Sequence, residues 1–123
     1  MNIIEYLNLE IVNVSADEVI LHLNADETHQ QPFGIMHGGV SALLAETAAS
    51  IGANHLVPEN KVCVGLDISS KHLASHRSGL LITRATPVHV GRQTQVWEIL
   101  ITDQHQRKIS FSTCSLFVID KPN

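Results

Sequence analysis

Residues 30–55 have the sequence QQPFGIMHGGVSALLAETAASIGANH, a polar loop followed by an alanine-rich apolar segment. The apolar segment is long enough for one buried helix, which we predict to begin at Gly38 or Gly39 and to end near Asn54. Glu46 is the only carboxylate in this helix, and a lone carboxylate in apolar surroundings is costly unless it is paired or used. We expect the rest of the chain to form a sheet around the helix.

The composition of the chain predicts one globular domain, residues 1–123, with 44% hydrophobic and 16% charged residues. The net charge of -4 disfavours nucleic acid or an anionic membrane as a partner. The first ten residues contain no basic residue and do not resemble a signal peptide, and no apolar run approaches the roughly 20 residues of a membrane span. Cys63 and Cys114 are far apart in sequence, so we expect two reduced thiols in a cytoplasmic protein.

Period-two patterns and β-branched runs predict strands on both sides of the helix. The predicted strands are residues 7–14, 18–24, 62–73, 79–90, 93–102 and 108–119. Their short connections predict antiparallel neighbours, and Pro87 predicts an edge or a bulge. Since there is no βαβ alternation, the fold class is α+β, with one antiparallel sheet rolled around one long central helix.

The segments QPFGIMHGGVSALLAE, VGLDISSKHL and TPVHVGRQTQVW resemble the hotdog-fold acyl-CoA thioesterases. The closest group is the PaaI-like one, which includes the 1,4-dihydroxy-2-naphthoyl-CoA and 4-hydroxybenzoyl-CoA thioesterases. The resemblance implies hydrolysis of an aromatic acyl-CoA by a homodimer with composite sites, and a homotetramer of two such dimers. Coenzyme A would enter as part of the substrate, with no separate cofactor. Relatives often carry an N-terminal helical segment near the acyl pocket, which we expect this chain to lack, and Ala74 replaces a basic residue of some relatives.

Thioester hydrolysis requires an activated attacking group and a donor for the developing oxyanion. The Gly38 N–H lies at the predicted helix start, where the dipole is positive and no Cβ blocks a carbonyl, so we assign it the oxyanion contact. Glu46 is the natural base or nucleophile, and desolvation would make it a better base. Eight helical residues separate the two by about 12 Å, so one chain cannot bring both to one carbonyl. Two antiparallel helices related by a two-fold axis can.

The resemblance implies further site residues around this pair. Gln31 would lie near the thioester, and His37 would position the loop and the oxyanion pocket. Thr47 and Ser50 would supply hydroxyl groups that orient water or substrate beside Glu46. The remaining positions expected to contact substrate or coenzyme A are Gly65, His72, Ser75, His89, Gly91, Arg92 and Thr94. The last four belong to a turn with a cation, a glycine and hydrogen-bond donors, which suits a phosphate or pantetheine.

Other interpretations compete with these assignments. His72 and His89 are, as isolated residues, more often ordinary strand residues, and Arg92 in a turn is most often merely solvated. The eight histidines include no helical H-x-x-x-H pair or Cys/His cluster, so we reject a metal site. Two other functions remain open. The first is a hotdog hydratase or dehydratase, which would pair a histidine of one chain with an acid of another. A non-catalytic acyl-CoA-binding regulator would bind coenzyme A esters without turnover.

Overall fold

The structure is a computed structural model that describes residues 1–122. Its elements in chain order are α1 (Ile3–Tyr6), β1 (Glu10–Val14), β2 (Val19–Ala25), a 3-10 turn (Glu27–His29), α2 (Gly38–His55), β3 (Lys61–His72), β4 (Gly79–Val90), β5 (Thr94–Asp103) and β6 (Lys108–Asp120). The six strands form an antiparallel sheet in the order β1-β2-β4-β5-β6-β3, and its inner face packs on α2. The predicted fold class is therefore confirmed.

The central helix α2 lies close to the sheet because its buried side chains are small. The fully buried alanines are Ala45, Ala48, Ala49 and Ala53. Gly52 meets the indole ring of Trp97, since a Cβ atom added to Gly52 would lie 2.7 Å from Cζ3 and 2.9 Å from Cζ2. The glycine near the end of the helix thus allows a close approach to the sheet. No helix in residues 1–122 is both long enough and apolar enough to span a membrane.

The inner face of the sheet follows the period of two that the sequence predicts. On β5, for example, Trp97, Ile99 and Ile101 are fully buried between more exposed neighbours. Gln95 is buried on the same face, where its Nε2 donates to the Ala53 carbonyl at 3.3 Å and its Oε1 accepts from Trp97 Nε1 at 2.9 Å. Because these groups are paired, the buried amide fastens the end of α2 to the sheet.

Consecutive strands are neighbours in the pairs β1–β2, β4–β5 and β5–β6. They are not neighbours in the pair β2–β3, which α2 connects, or in the pair β3–β4, which a short loop connects. β3 pairs with β6 and β4 pairs with β2 and β5, so the prediction that every short connection joins neighbours is wrong here. The six residues 73–78 reach about 20 Å when extended, whereas three strand spacings need only about 14 Å. A short connection can therefore cross the curled sheet and leave β3 as an edge strand.

Four register shifts interrupt the ladders, and two of them bear on the predictions and the candidate site. The register shifts between Pro87 and His89 on β4, which confirms the prediction of an edge or bulge at this proline. A second shift lies between Gly65 and Asp67 on β3, opposite β6. Bulges bend a strand and redirect side chains, and this second one lies beside the helix residue Glu46.

The N-terminus differs from the prediction in two respects. The predicted strand 7–14 begins only at Glu10, and residues 3–6 form the one-turn helix α1, capped by the Asn2 side chain. This single helical turn was not predicted from the sequence. Ile4 of α1 lines the pocket that contains Glu46, so this segment belongs to the wall of the candidate site.

Candidate active site

The start of α2 is prepared by the residue that precedes it. His37 is the N-cap, and its Nδ1 accepts a hydrogen bond from the Gly39 N–H at 2.8 Å. The Gly38 N–H belongs to the first helical turn, where no intrahelical acceptor exists, and the helix dipole makes this end positive. The imidazole thus takes one N–H of the turn and leaves the preceding one for another acceptor.

The His72 ring lies directly against Gly38. A Cβ atom added to Gly38 would lie 2.9 Å from His72 Nε2, so only glycine fits here without movement of the ring. Both residues line a pocket of about 410 Å³ that also contains Gln31 and Ser75. The structure therefore brings four predicted site residues, from the loop, the helix start and the end of β3, into one cavity.

The Gln31 side chain stabilises the loop before α2. Its Oε1 accepts from the Phe33 N–H, and its backbone N–H donates to Ile35 O at 2.8 Å. Gly34 allows this tight turn because its φ is +84°. The turn places Gln31 at the edge of the Gly38 pocket.

Glu46 lies in the middle of α2, on the side that faces β3, and not in the Gly38 pocket. The side chain is exposed in the single chain, so the expectation of a carboxylate buried within one apolar protomer is wrong. The neighbouring helix faces are buried, but position 46 faces β3, where the glycine at 65 leaves space. A Cβ atom added to Gly65 would lie 3.1 Å from Glu46 Oε2.

The Glu46 carboxylate opens into a second pocket of about 530 Å³. The predicted residues Thr47, Ser50 and Gly65 line this pocket. Its apolar wall consists of Ile4, Ile51 and Val64. The pocket therefore combines one carboxylate and two hydroxyl groups with a surface that suits an apolar group.

Cys63 lines the same pocket, and Cys114 lies deeper in the core; both thiols are free and buried. Burial raises the pKa of the Cys114 thiol to about 11, and the negative charges of Glu46 and Asp67 add to the effect. Burial also raises the pKa of Cys63. Both thiols are therefore protonated at neutral pH and are poor nucleophiles, which leaves Glu46 as the candidate reactive group of this pocket.

Within one chain, the two halves of the candidate site remain apart. Gly38 and Glu46 are separated by eight residues of continuous helix, about 12 Å along its axis, and they line different pockets. One pocket offers an oxyanion donor without a carboxylate, and the other offers a carboxylate at a distance from the helix start. Within one chain, neither pocket can therefore bring the Gly38 N–H and the Glu46 carboxylate to the same thioester carbonyl.

The predicted coenzyme A turn lies away from both pockets. The Gly91 N–H donates to Thr94 O at 2.8 Å, and a Cβ atom on Gly91 would lie 2.7 Å from His89 Nε2. Arg92 is exposed and lines a separate cavity of about 430 Å³ together with Lys61. The turn has the cation and the tight backbone that were predicted, but one chain does not place it beside Glu46 or Gly38.

Sequence reasoning missed two residues near the pockets. Ile4 lies in a segment with no periodic pattern, so nothing in the sequence connected it with Glu46. Arg77 lies three residues beyond Ala74, in a connection whose path could not be predicted. Across residues 1–122, no group of three or more His, Cys, Asp and Glu side chains is arranged to hold a metal ion.

Comparison with known proteins relates this geometry to a family. Residues 33–110 match the profile of the thioesterase superfamily. The 1,4-dihydroxy-2-naphthoyl-CoA hydrolase of Listeria monocytogenes is 42% identical over 98% of both chains, and the proofreading thioesterase EntH of Cronobacter turicensis is 34% identical over 95% of this chain and 85% of its own. A thioesterase crystal structure from Haemophilus influenzae has a TM-score of 0.91 and 39% identity, covering 95% of this chain and 82% of the other.

Proposed function

Because this chain belongs to the thioesterase superfamily, we propose that it hydrolyses an aromatic acyl-CoA to the free acid and coenzyme A, at a site formed by two copies of the chain. The resemblance to the hotdog-fold thioesterases that the sequence indicated is confirmed by the family match. The observation that carries the proposal is the position of two complementary half-sites on one rigid helix, with Gly38 at its start and Glu46 in its middle.

Each half-site supplies what the other lacks. The Gly38 N–H would donate a hydrogen bond to the thioester oxygen as negative charge develops on it, and a donor of this kind is worth about 10²- to 10³-fold in rate. Glu46 of the other copy would attack the carbonyl or activate water. His37 supports the donor through its bond to Gly39, and His72 forms the wall of the oxyanion pocket.

The edge strand β3 supports assembly of two copies. It pairs on one side only, with β6, and its exposed residues include Val64 at 42% and Leu66 at 51% of their surface. An unpaired edge with exposed apolar side chains favours pairing with another strand. A two-fold axis at β3 would bury this edge, turn the two α2 helices antiparallel and bring Glu46 of one copy towards Gly38 of the other.

The substrate assignment rests on the pocket and on the relatives. The apolar wall beside Glu46 suits the acyl group, and the relative in Listeria monocytogenes is named for a naphthoyl-CoA substrate. Thr47 and Ser50 would orient water or the acyl group. Gly65 keeps the carboxylate accessible because it has no side chain in front of Glu46. We expect the turn of residues 89–94 to hold part of coenzyme A, and a tetramer of two dimers remains a prediction.

The test is thiol release from benzoyl-, hydroxybenzoyl-, naphthoyl-, phenylacetyl- and aliphatic acyl-CoA. We expect an aromatic thioester to be hydrolysed fastest, and Glu46→Gln to lower kcat/KM by about 10³-fold because the amide neither attacks nor takes a proton. Glu98→Gln is the matched control, since Glu98 is exposed on the outer face of β5, and it should retain native activity.

Three outcomes would contradict the proposal. Native activity in Glu46→Gln would remove this carboxylate from the mechanism. Binding of coenzyme A esters with no thiol release by the native protein would favour a non-catalytic acyl-CoA-binding protein. Hydration of an enoyl-CoA without thiol release would instead assign the site to a hydratase.

A further inference from the structure

A third pocket, of about 390 Å³, adjoins the Gly38 pocket. The two cavities share Ser75 and His76, which form the ridge between them. The third pocket extends from this ridge to Arg77, Ser78 and the β5–β6 turn. A ligand whose reactive end lies at Gly38 could therefore continue over the ridge into a polar cavity.

The ridge is held to the loop before α2 and to the β5–β6 turn. The Met36 N–H donates to His76 O at 2.6 Å, and Gln30 Nε2 donates to Arg77 O at 2.9 Å. From the other side, Arg107 Nη2 donates to Ser75 O at 2.6 Å. Three hydrogen bonds to successive carbonyls fix the backbone of this segment, so its side chains project from a defined position.

Two arginines reach the third pocket, and one of them is already neutralised. Arg107 Nε lies 3.3 Å from Asp103 Oδ2, and the Asp103 carboxylate also accepts the backbone N–H groups of His105 and Arg107. These backbone bonds, that of Arg107 first, and the guanidinium beside it hold the pKa of Asp103 below its usual range. Arg107 and Asp103 thus form a pair that shapes the turn and adds no net charge.

Arg77 is the uncompensated cation of the pocket. No carboxylate of residues 1–122 lies within ion-pair distance of its guanidinium. Among the described residues, 1–122, the guanidinium makes one hydrogen bond, a long one from Nη1 to Gly34 O at 3.4 Å. Most of the guanidinium therefore remains free for an anion, in a chain whose net charge is -4.

We propose that Arg77, together with the hydroxyl groups of Ser75 and Ser78, binds a phosphate group at the nucleotide end of coenzyme A. The inference rests on the proposed function, because a thioester carbonyl at Gly38 determines where the thiol end of the substrate lies. A guanidinium suits a phosphate since its N–H groups form a fork that matches two oxygens. The hydroxyl groups on either side can donate to the remaining oxygens.

The experiment compares binding of coenzyme A and of pantetheine, which has the thiol arm without nucleotide or phosphates. We measure both affinities by calorimetry for the native protein, Arg77→Ala and Arg84→Ala. Arg84 is the matched control because it is an exposed arginine that pairs with Glu18, at 3.4 Å, on the outer face of β4. Thermal unfolding of each variant checks that the fold is retained.

We expect the native protein to bind coenzyme A at least about tenfold more tightly than pantetheine, as one charge-assisted phosphate contact provides. Arg77→Ala should lose most of this preference by binding coenzyme A about tenfold more weakly, with its affinity for pantetheine unchanged. Arg84→Ala should keep the native preference. The KM for an acyl-CoA should rise in Arg77→Ala in parallel with the loss of affinity.

The proposal is overturned if Arg77→Ala still prefers coenzyme A to pantetheine as strongly as the native protein does. It is also overturned if Arg84→Ala loses as much of this preference as Arg77→Ala, or if the native protein itself does not prefer coenzyme A to pantetheine. Failure of the phosphate site and failure of the proposed function are separable. Thiol release that depends on Glu46, together with unchanged binding in Arg77→Ala, removes only the phosphate site. Loss of the coenzyme A preference in Arg77→Ala, in a protein that releases no thiol, removes only the hydrolytic function.

Discussion

Two glycines contact α2 or lie within it, and they serve opposite sides of the helix. Gly52 is buried and meets the rigid indole ring of Trp97, whereas Gly65 is exposed on the edge strand and meets the Glu46 carboxylate. The absence of a Cβ is needed at both positions, but for different reasons. On the buried side it allows the helix to approach the sheet, and on the open side it leaves room around the Glu46 carboxylate. The comparison predicts that the same substitution affects stability at one position and activity at the other.

The largest of these effects is expected for Gly52→Ala. The new methyl group would lie within 3 Å of three indole carbons, and overpacking of this kind costs about 2 kcal/mol of unfolding free energy. Denaturant unfolding of Gly52→Ala, Trp97→Phe and the double variant measures this. The smaller ring should relieve the clash, so the cost of Gly52→Ala should be lower in the Trp97→Phe background. If Gly52→Ala lowers the unfolding free energy equally in the native and the Trp97→Phe backgrounds, contact with the indole ring is not the cause of the destabilisation.

Gly65→Ala should have a smaller effect, and on activity alone. A methyl group 3.1 Å from Oε2 would displace the carboxylate by a few tenths of an ångström, and misplacement of a reacting group costs about tenfold in kcat/KM. Stability should be unchanged, since alanine is tolerated in an exposed strand. Ser69→Ala, at another exposed position of β3, is the control for both measurements. If Gly65→Ala lost stability but kept full activity, the glycine at 65 would serve packing rather than the space around Glu46.

The smallest effect is expected at the start of the helix. His37→Ala removes the acceptor of the Gly39 N–H, and loss of an N-cap costs about 1 kcal/mol. Asparagine is a strong N-cap, so His37→Asn should restore most of the stability. If His37→Asn is stable but less active than the native protein, the imidazole has a role beyond capping. If both variants are as stable as the native protein, the hydrogen bond between His37 and the Gly39 N–H does not contribute to stability.

The sequence predicts most of the secondary structure because its patterns are local. β4 coincides with the predicted residues 79–90, and α2 ends one residue beyond the predicted Asn54. Periodicity and turn residues determine these boundaries. The position of β3 beside β6 could not be predicted in this way, because strand order depends on how the whole sheet curls. The helix α1 was missed because one turn is too short to produce a periodic pattern.

For the candidate site, the sequence identified residue types but not their distances. The loop, Gly38 and Glu46 could be predicted from a carboxylate in an apolar helix and a glycine pair at its start. The exposure of Glu46 could not, since it depends on the glycine at 65, on another element. The Arg77 pocket was also inaccessible to sequence reasoning, because its charge balance depends on the Asp103–Arg107 pair across the β5–β6 turn.

The central claim, that each active site takes Glu46 from one copy and Gly38 from the other, is tested most directly by complementation. Glu46→Gln and Gly38→Val chains carrying different tags are co-expressed, and the mixed dimer is purified through both tags. Each homodimer should be nearly inactive, because every site lacks one group. The mixed dimer contains one site with both groups intact and should have about half of the native specific activity. A mixed dimer as inactive as the two homodimers would contradict the account, because each site would then be built within a single chain.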